Sequence, residues 1–256
     1  MMRLMLGAAA ALFLTAGQAA ADGLPSRGKT RAPEADRPCS ISAETGFSTE
    51  KVIRGFSESA GDFSVQGGFE LTCGRFYVDV AGTSVNILGA SAMVDLAIGI
   101  TPKTGPITWD LGVIYHAYNA SEDILNFYEL KAAASTEIWK GGTLGASALY
   151  APEYGGRAAL WLGATNSETW TVEGTFAQVL PRVGIFTPTF SAAIGQVNVE
   201  DNGNDYVYWN VGLTLGFREK WELDLRYSDT DIEGGCNLFG TQLCDERFLA
   251  SLKYTF

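Results

Sequence analysis

The sequence is short of charge. Asp, Glu, Lys and Arg make up 18% of its 256 residues, against roughly 25% in an average soluble domain. Basic residues are the scarcer sign, 18 against 29 acidic ones, for a formal net charge of −11. Such a chain lacks the electrostatic footprint of a nucleic-acid binder, and no nucleic-acid partner is expected. It has one histidine, His116, and four cysteines without a CxxC spacing. That leaves a poor donor set for zinc, and no metal or cofactor is expected. There is no P-loop and no dinucleotide fingerprint. Beyond residue 21, no apolar run approaches the roughly 20 residues of a membrane-spanning helix. What is plentiful is glycine, with 30 residues, and aromatic side chains, at 12%. Disordered chains are charge-rich and aromatic-poor. Helical bundles avoid glycine. Neither class fits.

Met1–Ala21 has the layout of a secretory signal peptide. Arg3 supplies a basic start, Leu4–Ala16 an apolar stretch, and Ala19-Ala20-Ala21 a small-residue cleavage site. Residues 22–38 hold three prolines and seven charges and read as a flexible periplasmic tail. The expected folded domain is 39–256.

The period of that domain is two. Val207, Trp209, Val211, Leu213, Leu215 and Phe217 alternate with Tyr208, Asn210, Gly212, Thr214 and Gly216. Phe248, Ala250, Leu252, Tyr254 and Phe256 alternate with Leu249, Ser251, Lys253 and Thr255. Val94, Leu96, Ile98 and Ile100 alternate with Asp95, Ala97, Gly99 and Thr101. This is the pattern of strands with one apolar face. A β-sandwich has the same period, but two features favour a barrel. Aromatics stand near the ends of the apolar parity, as Trp209 and Phe217 do. Eight steps of about 3.3 Å between them give roughly 20 Å of height at a tilt of about 40°, close to a lipid-facing band. The opposite parity is small and polar, which suits a crowded, wet lumen better than bulk solvent.

Twelve segments alternate in this way: 40–54, 63–73, 75–86, 92–102, 107–118, 126–138, 142–151, 168–180, 184–198, 205–217, 221–231 and 247–256. The even count and the alternation of short and long connections predict an all-β fold. It is a single transmembrane antiparallel up-and-down β-barrel with both termini periplasmic. Ala158–Ala164 alternates weakly and can extend a strand above the membrane. By parity the lumen receives Asp79, Asp95, Asp110, Glu129, Glu137, Glu173, Glu222 and Asp224, with Lys131, Arg226 and Lys253 as the bases. Glu129 with Lys131, and Asp224 with Arg226, are i, i+2 neighbours on one face and can pair locally.

Topology also sorts the cysteines. Cys39 begins the first segment and Cys73 ends the second, so they share one rim. Cys236 and Cys244 share the last outer loop. A membrane's thickness exceeds disulfide reach, about 7 Å between Cα atoms, which predicts Cys39–Cys73 and Cys236–Cys244. Other chemistry is thin. A Ser–His–Asp hydrolase would need His116, better read as a lumen or rim histidine. Asp229–Gly234 opens like a calcium loop, but Gly240 stands where the closing carboxylate belongs. Asp201–Asp205 reads as a hairpin loop of turn formers.

Ile53-Arg54-Gly55-Phe56-Ser57, Gln66-Gly67-Gly68-Phe69 and Phe76-Tyr77-Val78 resemble the opening hairpins of the TorF family of porin-like proteins, also called Gcw_chp. Asn126-Phe127-Tyr128-Glu129-Leu130, Tyr150-Ala151-Pro152-Glu153-Tyr154 and Tyr227-Ser228-Asp229-Thr230-Asp231 are similar to later segments of the family, in the same order. The resemblance implies a bacterial outer-membrane porin without a defined substrate. Three functions compete. The favoured one is a passive channel for ions or small hydrophilic solutes, mildly cation-preferring and not an enzyme. The others are a structural or adhesive barrel with a plugged lumen, and a lipid-modifying enzyme. The expected partners are outer-membrane lipid, small solutes and the barrel-assembly machinery. That machinery would read the last strand through Tyr254 and Phe256.

Overall fold

A computed structural model describes residues 39–120, 125–155, 168–200, 205–232, 236–238 and 241–256. The expected signal peptide and tail, the stretch Ala158–Ala164 and the turn formers 201–204 lie outside the described residues. Every element among the described residues is a strand. In chain order they are β1 (Cys39–Ser48), β2 (Val52–Ile53), β3 (Phe56–Ser57), β4 (Ser64–Cys73), β5 (Phe76–Ile87) and β6 (Ala90–Ile100). There follow β7 (Lys103–Thr104), β8 (Ile107–Tyr118), β9 (Phe127–Trp139), β10 (Gly142–Ala151), β11 (Thr169–Val179) and β12 (Phe186–Val199). The last are β13 (Tyr206–Phe217), β14 (Trp221–Thr230), β15 (Asn237–Leu238), β16 (Thr241–Gln242) and β17 (Arg247–Thr255).

The twelve long strands pair antiparallel, each with the next long one in sequence. β17 then closes on β1, in register from Glu44↔Thr255 to Ser48↔Ser251. Closure matters because a sheet edge in hydrocarbon would leave a row of unpaired amides. The two-residue β7 only extends the sheet against β8.

Burial follows the parity of the sequence, with apolar residues outside. In β5, Tyr77, Asp79, Ala81 and Thr83 are buried, while Phe76 and Val78 are exposed. In β6, Asp95 is 2% exposed and its neighbour Leu96 44%. Phe69, Ile98, Trp109, Leu130, Val172, Ile194 and Phe248 are likewise exposed. In water so large an apolar surface would drive association. Against lipid tails it is the favourable face, and the fold is a transmembrane barrel.

One rim carries a continuous run of aromatic rings. Phe186 meets Phe217 at 5.6 Å between centroids, Phe217 meets Trp221 at 6.0 Å, Trp221 meets Tyr254 at 4.7 Å, and Tyr254 meets Phe256 at 4.9 Å. These rings flank tight turns such as Arg218-Glu219, both at positive φ. Cys39 and Cys73 are disulfide-bonded at this rim, where β1 and β4 pair. Cys236–Cys244 staples the connection between β14 and β17.

The first segment departs from expectation. It runs on as a strand to residue 54 by sequence, but β1 ends at Ser48. The connection to β4 then folds into the barrel instead of projecting outward. Lys51, Val52, Ile53, Ser57, Glu58 and Ser59 are all buried. Inside it, Val52↔Ser57 and Ile53↔Phe56 form a hairpin of their own. Arg54 (φ 50°) and Gly55 (φ 80°) take its two turn positions. A two-residue turn of that kind needs positive φ at both places, which glycine supplies without strain.

Candidate functional site

The barrel interior is built in rows, because antiparallel register sets residues of neighbouring strands opposite one another. Tyr77 of β5 stands opposite Gly99 of β6, which stands opposite Gly112 of β8, which stands opposite Lys131 of β9. The glycines leave a slot in which the Tyr77 ring lies flat, and its hydroxyl donates to Asp110 at 2.9 Å. Lys131 Nζ lies 3.1 Å from the same carboxylate. The design repeats. Tyr208 of β13 crosses Gly195 of β12 and donates to Glu173 of β11 at 2.9 Å. Arg226 of β14 crosses Gly212 of β13 and donates to Ser191 of β12 at 3.0 Å. It also donates to Asn210 at 2.6 Å and ion-pairs with Asp224 at 3.0 Å.

Near the aromatic rim, Lys253 lies 2.8 Å from Glu222 and 3.6 Å from Glu44. Glu137 lies at the exposed turn end of β9, where it accepts the amide hydrogen of Gly141. Asp79 is buried in β5. Thus Asp224 and Arg226 pair with each other, whereas Glu129 and Lys131 take other partners.

Glu129 meets the inward hairpin. Arg54, at the hairpin's turn, donates through both terminal nitrogens to the two Glu129 oxygens, each at 2.8 Å. Behind Glu129 sits His116, whose Nε2 is 3.3 Å from Glu129 and whose Nδ1 is 2.6 Å from Asp95. Donating to both carboxylates requires a proton on each ring nitrogen. The ring stacks on Phe127 at 4.5 Å. Arg54 also lies over the Tyr154 ring, 5.6 Å from its centroid. Beside it, Ile53 packs into an apolar cluster with Val85, Met93, Tyr118, Leu125 and Phe127. The Tyr118 hydroxyl donates to Glu58 at 2.7 Å. Burial pushes the Glu58 carboxyl above its ordinary value, against the lowering effect of Lys51.

The hairpin touches the other wall too. A side chain on Gly55 would overlap Thr230 of β14 and crowd Tyr208 of β13. The Ser57 amide donates to the Leu243 carbonyl of the last connection at 2.8 Å. Glu50, at the hairpin's root, ion-pairs with Arg247 of β17. Lys51 and Arg54 escaped the sequence reading because their segment resembles the end of a strand, and Glu58 because it falls in the connection beyond residue 54, expected to project outward. The available signal was Arg54-Gly55 between the apolar residues Ile53 and Phe56, a hairpin-turn signature.

A closed twelve-stranded barrel, apolar outside and charged within, is a transmembrane β-barrel of porin-like architecture. Residues 32–256 match the model of the family described as "Bacterial protein of unknown function (Gcw_chp)", and the chain belongs to that family. No curated protein matches it by sequence. Among solved structures it is similar to the KdgM porin, with a TM-score of 0.57 at 8% identity, over 84% of this chain and 99% of that one. It is also similar to the NanC porin, with a TM-score of 0.54 at 12% identity over 84% and 99%. A third is "KdgM porin in complex with disordered oligogalacturonate", with a TM-score of 0.56 at 8% identity over 84% and 98%. At these identities the likeness is one of fold.

Proposed function

We propose that the protein is an outer-membrane channel for the passive diffusion of ions or small hydrophilic solutes. The observation that carries this reading is the inverted burial: buried Asp95, Glu129, Glu173, Asp224, Arg226 and Lys253 behind an exposed apolar surface. Ionised groups are costly to bury without polar partners, and here they line the inner wall paired with one another or with hydroxyls, a hydrophilic lining that a barrel filled with apolar side chains would lack. Similarity to the KdgM and NanC porins supports the same reading. The lumen-facing residues of this channel are those predicted from parity, joined by Glu44, His116 and the hairpin's Lys51, Arg54 and Glu58. Acids outnumber bases among them, which favours cations mildly. Lipid contacts the exposed apolar face, and the barrel-assembly machinery reads the β17 end through Tyr254 and Phe256.

An enzymatic role is disfavoured by His116. Its Nδ1 faces Asp95 and its Nε2 faces Glu129, so the nitrogen that would take a serine proton is already committed to a carboxylate. The inward hairpin favours a plugged, structural barrel as the second reading. Purified protein in a planar bilayer separates the two. Discrete conductance steps are expected, and a silent bilayer with correctly folded protein would sustain the plugged barrel instead.

A further inference from the structure

The hairpin between β1 and β4 is held from several sides, by different chemistry on each. Arg54 reaches Glu129, and Ile53 enters the apolar cluster lined by Val85 and Phe127. Gly55 presses against β13 and β14. In barrel order Glu129 lies on β9, five long strands along from β1 and four from β4 in a ring of twelve, across the lumen from the hairpin's own root. The segment therefore crosses the bore. A chain segment that crosses a bore takes up the cross-section through which solute must pass.

We propose that this hairpin is the constriction of the channel, and that the Arg54–Glu129 pair is the tether that fixes how much it passes. This rests on the reading of the protein as a channel. The barrel does not need the segment in order to close, because β1 pairs with β4 from Ser48↔Ser64 down to Cys39↔Cys73 and with β17 on its other side. The geometry of the tether is specific. A guanidinium meets a carboxylate through two parallel hydrogen bonds, a fit that lysine does not reproduce. Both partners are almost fully buried, so salt in the medium screens them little. His116 and Asp95 stand behind Glu129 and hold its carboxylate in place for the arginine.

The test is single-channel recording from the full chain in planar bilayers. Each protein is first checked for heat-modifiable migration, so that only folded barrels are compared. Arg54→Ala and Glu129→Ala are expected to raise the single-channel conductance at least twofold over the native chain. The charge-exchanged double variant Arg54→Glu with Glu129→Arg is expected to return it only in part, because the guanidinium at position 129 would then face the His116 ring. Should the single variants fold poorly, replacing residues 51–58 with a short Gly-Ser connection removes the crossing segment outright, and a still larger conductance is expected. Native conductance in the replacement variant would overturn the constriction, while leaving the channel reading intact. A tether role for the pair would be overturned if the replacement widened the pore but neither alanine variant did. Silence in every protein, the replacement included, would overturn the channel itself. A silent native chain beside a conducting replacement would support the hairpin as a complete block.

Discussion

Tyr77, Tyr208 and Arg226 lie along the inner wall, each across a glycine of the neighbouring strand. The wall is glycine-rich for that reason: a Cβ in the slot would stand where the flat side chain lies. At Gly112 an added Cβ would come within 2.7 Å of the Tyr77 hydroxyl and 2.8 Å of the Ile98 carbonyl oxygen. The first contact can swing away. The second is backbone and cannot. Gly112→Ala is therefore expected to destabilise the barrel by about 1–3 kcal/mol, the usual range for overpacking. Gly174→Ala, where nothing stands within 4 Å, is expected to change stability by less than about 0.5 kcal/mol. Urea unfolding in the same detergent compares the two. Equal stabilities would refute the slot.

β17 and the β1–β4 hairpin are the elements on which closure depends. β17 is the last strand in sequence and pairs with both β14 and β1. The Phe256 amide donates to the Ala43 carbonyl of β1, and its ring stands against Tyr254 in the aromatic run. Deleting Phe256 removes a hydrogen bond at the closing seam and an anchor of the rim. The expected outcome is a reduced yield of heat-modifiable protein in membranes, and an unchanged yield would count against an assembly role. On the other side of β1, the Cys39–Cys73 bond ties the turn-rim ends of the hairpin across a sequence separation of 34. A closed loop of that length restricts the unfolded chain by about 4 kcal/mol in the chain-entropy account. Cys39→Ser is expected to lower stability by about 2–4 kcal/mol, measured by denaturant midpoint with and without reductant. Unreduced peptide mapping should return Cys39–Cys73 and Cys236–Cys244. A peptide joining Cys73 to Cys236 would contradict the strand order.

For the whole molecule, the interior acts as an electrostatic field. Much of its charge is neutralised in place: Glu129 by Arg54, Asp110 by Lys131, Asp224 by Arg226 and Glu222 by Lys253. Paired charges cancel at a distance, so the excess acids set the sign. Low-dielectric walls concentrate that excess on the bore. Twelve strands place its width between a side-chain-filled eight-stranded barrel and an open sixteen-stranded porin. The expected behaviour is a small conductance with mild cation preference. The preference should fade near 1 M salt, where screening shortens to about 3 Å. The zero-current potential across a KCl gradient gives its sign directly, and anion preference would refute the charge argument.

Alternation along single segments was enough to determine the strands, their number and the face each shows to lipid. A strand's side chains point to opposite sides by local geometry alone, whatever its neighbours are. Loop and turn lengths then fixed the order, and the order fixed the cysteine partners. The rows of the lumen were not legible in that way. Tyr77, Gly99, Gly112 and Lys131 are scattered along the chain, and only the hydrogen-bond register of four strands puts them in line. Asp95, His116 and Glu129 likewise meet only across three strands. The hairpin was the least visible feature. By sequence Lys51–Arg54 continues a strand. Its placement inside is decided by contacts with β9, β13, β14 and the apolar cluster. A loop that finds its partners across an enclosed space carries no periodic trace of them, because those partners are set by closure of the barrel and not by the chain next to it.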